Sequence, residues 1–140
     1  MTMKFGHVEL VTHDLGKSKD FYQRLFGWRV KDLPDVPYAV FNETLSPSGG
    51  MMKSPQPGGE SFWIPYIITK DIKSLADKAR GLGATIHREV TEAGQYGWLS
   101  IINDPTGATF GLWQPKPMRP PSKKRPTARR TVRKAKRRRS

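Results

Sequence analysis

The stretch FGHVELVTHD, residues 5–14, alternates polar and apolar side chains and ends at an aspartate. Successive side chains of a strand point to opposite faces of its sheet. The pattern therefore predicts a β-strand over residues 4–12, with Val8 and Leu10 on one face and His7 and Glu9 on the other. This strand carries the first histidine of the chain and an acid two positions later.

A helix is predicted directly after this strand, with Asp14 as its N-cap and Gly27 as its stop. The same order returns in the second half of the chain. There, a strand over residues 62–69 is followed by the N-cap Asp71 and by a helix that stops at Gly83. Repeated features in the same order indicate a duplicated structural unit.

Further strands are predicted after each helix from runs of β-forming residues between turns rich in proline, glycine and aspartate. The Pro/Gly-rich residues 54–61 read as a linker. Each half then has the order β-α-β-β-β, and the fold class is α+β. The predicted strands after the helices are residues 28–33, 38–42 and 49–53 in the first half and residues 84–89, 98–103 and 108–113 in the second.

The charge of the chain is concentrated at its end. Residues 1–115 contain 12 Lys+Arg and 12 Asp+Glu, whereas residues 116–140 contain 13 Lys+Arg and no acid. We therefore expect one neutral domain over residues 1–115, with modules of about 4–53 and 62–114. The remaining residues 116–140 are too polar to fold alone and are predicted to be a disordered basic tail.

Several classes of protein are disfavoured by composition. The chain has no cysteine, so it has no disulfide, thiol nucleophile or thiolate metal site. No run approaches the roughly 20 apolar residues of a membrane span, and the N-terminus does not resemble a signal peptide. We expect a soluble, cytoplasmic protein, which the tail could direct to the nucleoid or the nucleus.

Five motifs together carry a resemblance to a known family. They resemble the vicinal oxygen chelate superfamily, which includes glyoxalases, bleomycin-resistance proteins and extradiol dioxygenases, and in particular its small glyoxalase-like branch. The resemblance implies two βαβββ modules whose curved mixed sheets close around a cleft, and a homodimer. The motifs are HVELV at 7–11 with Asp14, FYQRLFGW at 21–28, GGMM at 49–52, Tyr66 with Asp71, and DPTGATFGLWQP at 104–115.

Members of the superfamily that use a metal place one ligand on each of four strands. By the resemblance, these positions fall on His7, Pro65, Gly111 and either Met51 or Met52. Among these residues only His7 has a side chain suited to a divalent ion. The resemblance therefore implies a degenerate metal site, and we expect neither a metal nor another cofactor.

The remaining candidates line the expected cleft. His7 and Glu9 are either a metal-free acid–base pair or polar lining that hydrogen-bonds to neighbours. The other lining residues are apolar or aromatic; they either bind a flat apolar ligand or fill the cleft and form a dimer contact. The predicted ligand-binding residues are Phe5, Met51, Met52, Pro65, Ile67, Thr69, Thr109, Gly111 and Trp113.

The basic tail matches the electrostatics of binding to a nucleic-acid backbone. It lacks aromatic residues, so base stacking and sequence specificity are not expected. Attraction to an anionic membrane surface and a solubilising or targeting role are the alternatives. The residues predicted to contact nucleic acid are Lys123, Lys124, Arg125, Arg129, Arg130, Arg133, Lys134, Lys136, Arg137, Arg138 and Arg139.

The sequence therefore supports three hypotheses of function. The first is a metal-free protein that binds a small, apolar or aromatic molecule in the cleft. The second is an enzyme of the glyoxalase type, a lyase or oxidoreductase, with His7 and Glu9 as acid–base groups. The third is a protein associated with nucleic acid through its tail, with the folded domain as scaffold.

Overall fold

The computed structural model describes residues 3–41 and 47–117, where two helices and eight strands repeat the order β-α-β-β-β. This confirms the predicted α+β class. The tail predicted over residues 116–140 lies outside the described residues from residue 118 onward. The elements are β1 (Lys4–Thr12), α1 (Leu15–Phe26), β2 (Val30–Asp32), β3 (Ala39–Phe41), β4 (Ser48–Lys53), β5 (Phe62–Ile68), α2 (Ile72–Gly81), β6 (Thr85–Ala93), β7 (Gly97–Asn103) and β8 (Thr109–Pro115).

The described strands form one mixed sheet in the order β2-β3-β4-β1-β5-β8-β7-β6. In each module the first strand is parallel to the fourth, as in the pairs β1–β4 and β5–β8. The two modules meet where β1 runs antiparallel to β5. The modules therefore pair within one chain, related by an approximate two-fold axis between their first strands.

The same turn connects strand to helix in both modules. In the first, the Thr12 hydroxyl accepts the Asp14 N–H at 3.1 Å, and the Asp14 carboxylate accepts the N–H three residues later at 3.0 Å. In the second, Thr69 and Asp71 make the equivalent bonds, both at 3.2 Å. These side chains satisfy N–H groups that a helix start leaves unpaired. Residues at the same number of positions before Asp14 and Asp71 are therefore structurally equivalent in β1 and β5.

The two faces of the sheet have different partners. The helices pack on one face, where Leu10 and Met51 meet α1, and Ile102 and Leu112 meet α2. The opposite face, called here the cleft face, has its own buried cluster, which consists of Val11, Ile64, Tyr66 and Ile101. The side chains at issue for function lie on the cleft face.

Helix α1 is less completely packed than α2. It has no fully buried residue, and Phe21, Leu25 and Phe26 are 54%, 57% and 53% exposed. No helix in residues 3–41 and 47–117 has the length and apolarity that a membrane span requires.

The hairpin between β6 and β7 is tighter than the sequence predicts. A loop is predicted over residues 91–97, but β6 continues to Ala93 and β7 begins at Gly97. The Tyr96 N–H closes the turn by donating to the Ala93 carbonyl at 3.0 Å, and Gly94 adopts a positive φ of 53°. A glycine readily adopts this left-handed conformation, so the turn needs few residues.

Candidate functional site

The cleft face is organised around Glu9, a carboxylate that is only 7% exposed. The hydroxyl of Tyr66 donates to Glu9 Oε2 at 3.3 Å. The hydroxyl of Tyr38 also interacts with the Glu9 side chain and lowers the pKa of that carboxyl. A buried carboxyl group is tolerated only when hydrogen-bonding partners surround it. The two tyrosines therefore make it possible for Glu9 to be buried at this position.

His7 extends this polar group toward the edge of the cleft. Its Nε2 lies 2.7 Å from the Tyr38 hydroxyl, and its Nδ1 lies 2.7 Å from the Ser48 hydroxyl. Ser48 in turn donates to the Gly6 carbonyl at 3.2 Å. If Ser48 uses its proton in this way, His7 must donate through Nδ1 and accept from Tyr38 through Nε2. The arrangement therefore fits a neutral imidazole.

The hydrogen bonds couple the protonation of Glu9 to that of His7. Tyr38 has one proton and contacts both groups. When Glu9 is protonated, it can donate to the Tyr38 oxygen while Tyr38 donates to His7. When Glu9 is ionised, it accepts the hydrogen bond of the Tyr38 hydroxyl, and His7 must then carry a proton on Nε2 and donate it to the Tyr38 oxygen. Ser48, His7, Tyr38, Glu9 and Tyr66 thus form one connected network, called here the cleft network.

Burial changes the pKa values in the cleft network so that the neutral form of each side chain is favoured. Burial lowers the pKa of His7 to about 4 and raises that of Glu9, an effect that the tyrosine hydrogen bonds and the charge of Arg88 oppose. Burial, with Glu9 nearby, also raises the pKa values of Tyr38 and Tyr66, so both stay protonated phenols. The desolvation of charged forms explains these directions.

Two glycines provide the room for the tyrosine rings. A Cβ added at Gly50 would overlap the Tyr38 ring, and a Cβ added at Gly111 would overlap the Tyr66 ring. Gly50 pairs with Glu9, and Gly111 pairs with Tyr66. The rings therefore lie against the backbone of β4 and β8, in space that side chains at these positions would otherwise occupy.

Strand pairing continues the site across the sheet. Directly paired residues form a row that crosses β4, β1, β5, β8, β7 and β6 in turn. Its outer end on β6 is Arg88, whose charge influences the pKa values of Glu9 and Tyr66. The row consists of Ser48, His7, Tyr66, Gly111, Ile101 and Arg88.

Three residues predicted for the cleft lie elsewhere, two on the helix-facing side of β5 and one beyond its end. Ile67 packs in the helix-facing cluster around α2, and Pro65 shares its face by alternation. Thr69 lies beyond the end of β5, where its hydroxyl accepts the Asp71 N–H. The spacing explains the error, because seven residues separate His7 from Asp14, and the equivalent spacing before Asp71 gives Ile64.

The prediction for Phe5 and Met51 is also wrong. A register shift between Phe5 and His7 breaks the alternation of β1, so that Phe5 pairs with Ile67 and is 62% exposed. Met51 is completely buried in the cluster under α1. Its neighbour Met52 packs on the cleft-face cluster instead.

The other predicted residues lie on the cleft face or at its edge. Trp113 packs on the same cluster as Met52, and Gly111 lies under the Tyr66 ring. Thr109 is at the exposed start of β8, where its hydroxyl donates to Asn103 at 3.4 Å. His7 and Glu9 are brought together with each other but with no third acid or histidine. In the described ranges, no group of three or more His, Asp or Glu side chains could hold a metal ion.

Four members of the site were missing from the sequence prediction: Tyr38, Ser48, Tyr66 and Arg88. Tyr66 could have been found, because the seven-residue spacing places residues 64 and 66 on the cleft face. Tyr38 precedes β3 and Ser48 begins β4, and neither has a periodic signal that marks it as part of a site. Arg88 depends on irregular strand pairing that the sequence pattern does not contain.

Comparisons with known proteins agree with this architecture. Residues 4–42 match the family model for the bleomycin resistance protein-like N-terminal region. A Mycobacterium bovis protein named "Putative glyoxylase CFP32" is 35% identical over 115 residues, which cover 76% of this chain and 44% of that protein. The structure of methylmalonyl-CoA epimerase from Mycobacterium tuberculosis superimposes with a TM-score of 0.62 at 15% identity, over 81% of this chain and 88% of the other.

These comparisons support the resemblance to the vicinal oxygen chelate superfamily. Another relative, the anthracycline biosynthesis protein DauV of a Streptomyces species, is 25% identical over 124 residues, covering 76% of this chain and 45% of that protein. The chain spans a little under half the length of these two curated relatives. Homodimerisation, cytoplasmic localisation and the domain boundaries at residue 115 stay predictions.

The protonation of His7 gives a direct test of the site geometry. Because its pKa is lowered to about 4, the native imidazole should stay neutral from pH 6.5 down to that value, as followed by its ¹³C and ¹⁵N chemical shifts. The unfolded chain binds a proton near pH 6.5, so His7 should make the protein less stable to urea as pH falls through this window.

The variant His7→Gln should lack this part of the acid sensitivity, whereas His87→Gln, which changes an exposed histidine, should retain it. An imidazole of His7 that titrates at pH 6 or above would contradict the buried, hydrogen-bonded arrangement.

Proposed function

We propose that this protein binds a small, largely apolar or aromatic molecule on its cleft face, without a metal ion. The observation that carries the proposal is the division of this face into two parts. One part is the buried cleft network around Glu9. The other is a half-buried apolar wall formed by Met52, Leu99 and Trp113. Binding sites commonly combine an apolar wall with a few fixed polar groups.

The polar and apolar parts would act differently on a ligand. The wall offers apolar surface that a ring could cover, at about 25 cal/mol for each Å² removed from water. The cleft network is already satisfied internally, apart from the more accessible edge at His7 and Ser48. A ligand group that hydrogen-bonds at this edge would be oriented without disturbing Glu9.

The residues present do not fit the metal site that the family resemblance implies. His7 and Glu9 are the only cleft-network members with a strong ligand atom, and both are engaged by Tyr38. The raised pKa values of Tyr38 and Tyr66 keep these side chains neutral. Their rings also occupy the space at Gly50 and Gly111, where additional ligands on β4 and β8 would have to project. These features support a degenerate metal site.

The relatives are compatible with an aromatic ligand. The name of DauV connects that protein with the biosynthesis of anthracyclines, which are fused aromatic compounds. At 25% identity this name supports the class of ligand proposed here without specifying a compound.

Binding can be tested with 2-naphthylmethanol, a neutral aromatic probe, by isothermal titration calorimetry. We expect one probe per chain. Trp113→Leu should weaken binding by about two- to tenfold, because an aromatic pair contributes about 0.5–1.5 kcal/mol beyond area burial.

The matched control is Trp63→Leu, which makes the same change on β5 beside Tyr22 and opposite Leu10, on the helix-facing side. It should leave the affinity unchanged. Equal loss in both variants, or no binding to the parent protein, would contradict a binding site at the cleft wall.

Acid–base catalysis is a second candidate function, and the cleft network favours it. His7 and Glu9 are joined through Tyr38, and their pKa values are shifted in opposite directions. A base and an acid coupled in this way can move a proton between two points of a substrate. The resemblance to glyoxalases supports a glyoxalase-type lyase reaction as the one to assay.

If this function is correct, turnover in the presence of EDTA should fall at least about 100-fold in both His7→Gln and Glu9→Gln. The His87→Gln protein should keep its activity. Turnover that survives in either His7→Gln or Glu9→Gln would contradict the enzyme hypothesis, because that hypothesis depends on both residues.

For the basic tail we propose non-specific association with nucleic acid. The support is its composition alone, 13 Lys+Arg and no acid in residues 116–140. The neutral domain contributes no comparable excess of positive charge. Such binding should depend on phosphate contacts and therefore on salt.

Fluorescence anisotropy with duplex DNA of unrelated sequences can test this proposal. The full chain should bind them alike, and affinity should fall by about 0.9 log units per phosphate contact for each tenfold rise in salt. Replacing the 11 basic residues from Lys123 to Arg139 by glutamine should abolish binding. Retained binding in that variant would place the contact outside the tail.

A further inference from the structure

Arg88 is turned to the cleft face by two irregularities in β6. Ile86 pairs with Ile102, Arg88 pairs with Ile101, and Thr91 pairs with Leu99, so that β6 has one extra residue on each side of Arg88. In a regular strand, residues 86, 88 and 90 would share one face. Ile86 and Val90 do pack toward the helices.

Its pairing with Ile101 nevertheless places Arg88 on the cleft face, because directly paired residues lie on the same side of a sheet and Ile101 belongs to the cleft-face cluster. The hydroxyl of Ser100, which is completely buried, donates to the Arg88 carbonyl at 2.8 Å and holds the bulged backbone. Bulges of this kind redirect a single side chain and are frequent beside functional sites.

The charge of Arg88 acts on the centre of the cleft. It lowers the pKa values of Glu9 and Tyr66, against the effect of burial. Four strand spacings separate β6 from β1, about 19 Å along a flat sheet. The influence of Arg88 on Glu9 is therefore the effect of a charge at the outer end of the cleft face on its centre.

Arg88 has no acidic partner in the part of the chain that the structure describes. The neighbouring Arg80 and Lys116 form ion pairs with Glu89 and Glu92, whereas Arg88 forms none. Glu9, the acid whose pKa it influences, is hydrogen-bonded to the two tyrosines. An exposed guanidinium that forms no ion pair among the described residues is suited to a planar oxyanion.

We propose that Arg88 is the anion-binding residue of the cleft, and that the ligand is an aromatic molecule bearing a carboxylate or an equivalent oxyanion. The anion contacts the guanidinium, and the ring lies on the wall that contains Leu99 and Trp113. These residues are on β7 and β8, one and two strands from Arg88, within the length of a two-ring aromatic acid. The proposal rests on the proposed binding function and specifies the ligand class.

The test compares 2-naphthoate with 2-naphthylmethanol, which has the same ring system but no charge. Calorimetry is done on the full chain with its 11 tail residues from Lys123 to Arg139 replaced by glutamine, so that the tail does not bind the anion. We expect 2-naphthoate to bind about tenfold or more tightly than the alcohol, as is typical of hydrogen bonds to a charged group.

Arg88→Gln should remove this preference by lowering the affinity for 2-naphthoate to about that for the alcohol, while Arg88→Lys should keep part of it. Lys73→Gln, the same charge change on the exposed surface of α2, should leave both affinities unchanged. Urea midpoints verify that each variant is folded.

The outcomes separate the two proposals. Equal affinity of the parent protein for both probes, or a preference for 2-naphthoate that persists in Arg88→Gln, would overturn the role of Arg88 while leaving the binding function intact. Failure of both probes to bind would instead contradict the proposed function itself, and with it the ligand class.

Discussion

The antiparallel pairing of β1 with β5 is the constraint on which the rest of the structure depends. It joins the two modules into one sheet and places His7 opposite Tyr66 and Glu9 opposite Ile64. The approximate two-fold axis then relates Glu9 to Tyr66 and Gly50 to Gly111. A carboxylate and a phenol therefore occupy equivalent positions in the two modules, and they can hydrogen-bond to each other across the axis.

The contact between Glu9 and the tyrosines determines the chemistry of the cleft. The rings need the open backbone of Gly50 and Gly111, and the buried carboxylate needs the tyrosine hydroxyls. Each of these features depends on the others, because an unpaired buried acid would cost several kcal/mol. The site is thus a neutral, hydrogen-bonded layer with an apolar wall beside it and Arg88, which forms no ion pair within residues 3–41 and 47–117, at its outer end.

Much of the fold follows from the sequence, because alternation, capping aspartates and glycine stops are local signals. The sequence also predicts correctly that His7, Glu9 and Met52 lie on the cleft face. The errors have two causes. The bulge after Phe5 breaks the alternation of side chains between the two faces of β1, and on β5 the alternation was counted from a position one residue too late. Arg88 was missed because strand irregularities, not periodicity, decide its direction.

The central claim is that the cleft binds an aromatic anion on a metal-free tyrosine layer. The most direct measurement is a crystal structure with 2-naphthoate, grown with Zn²⁺ present and with anomalous data collected at the zinc edge. The account predicts the naphthalene ring on Trp113, its carboxylate on Arg88, and Tyr38 and Tyr66 in place over Gly50 and Gly111. A zinc ion bound by His7 and Glu9, with the tyrosines displaced, would contradict it.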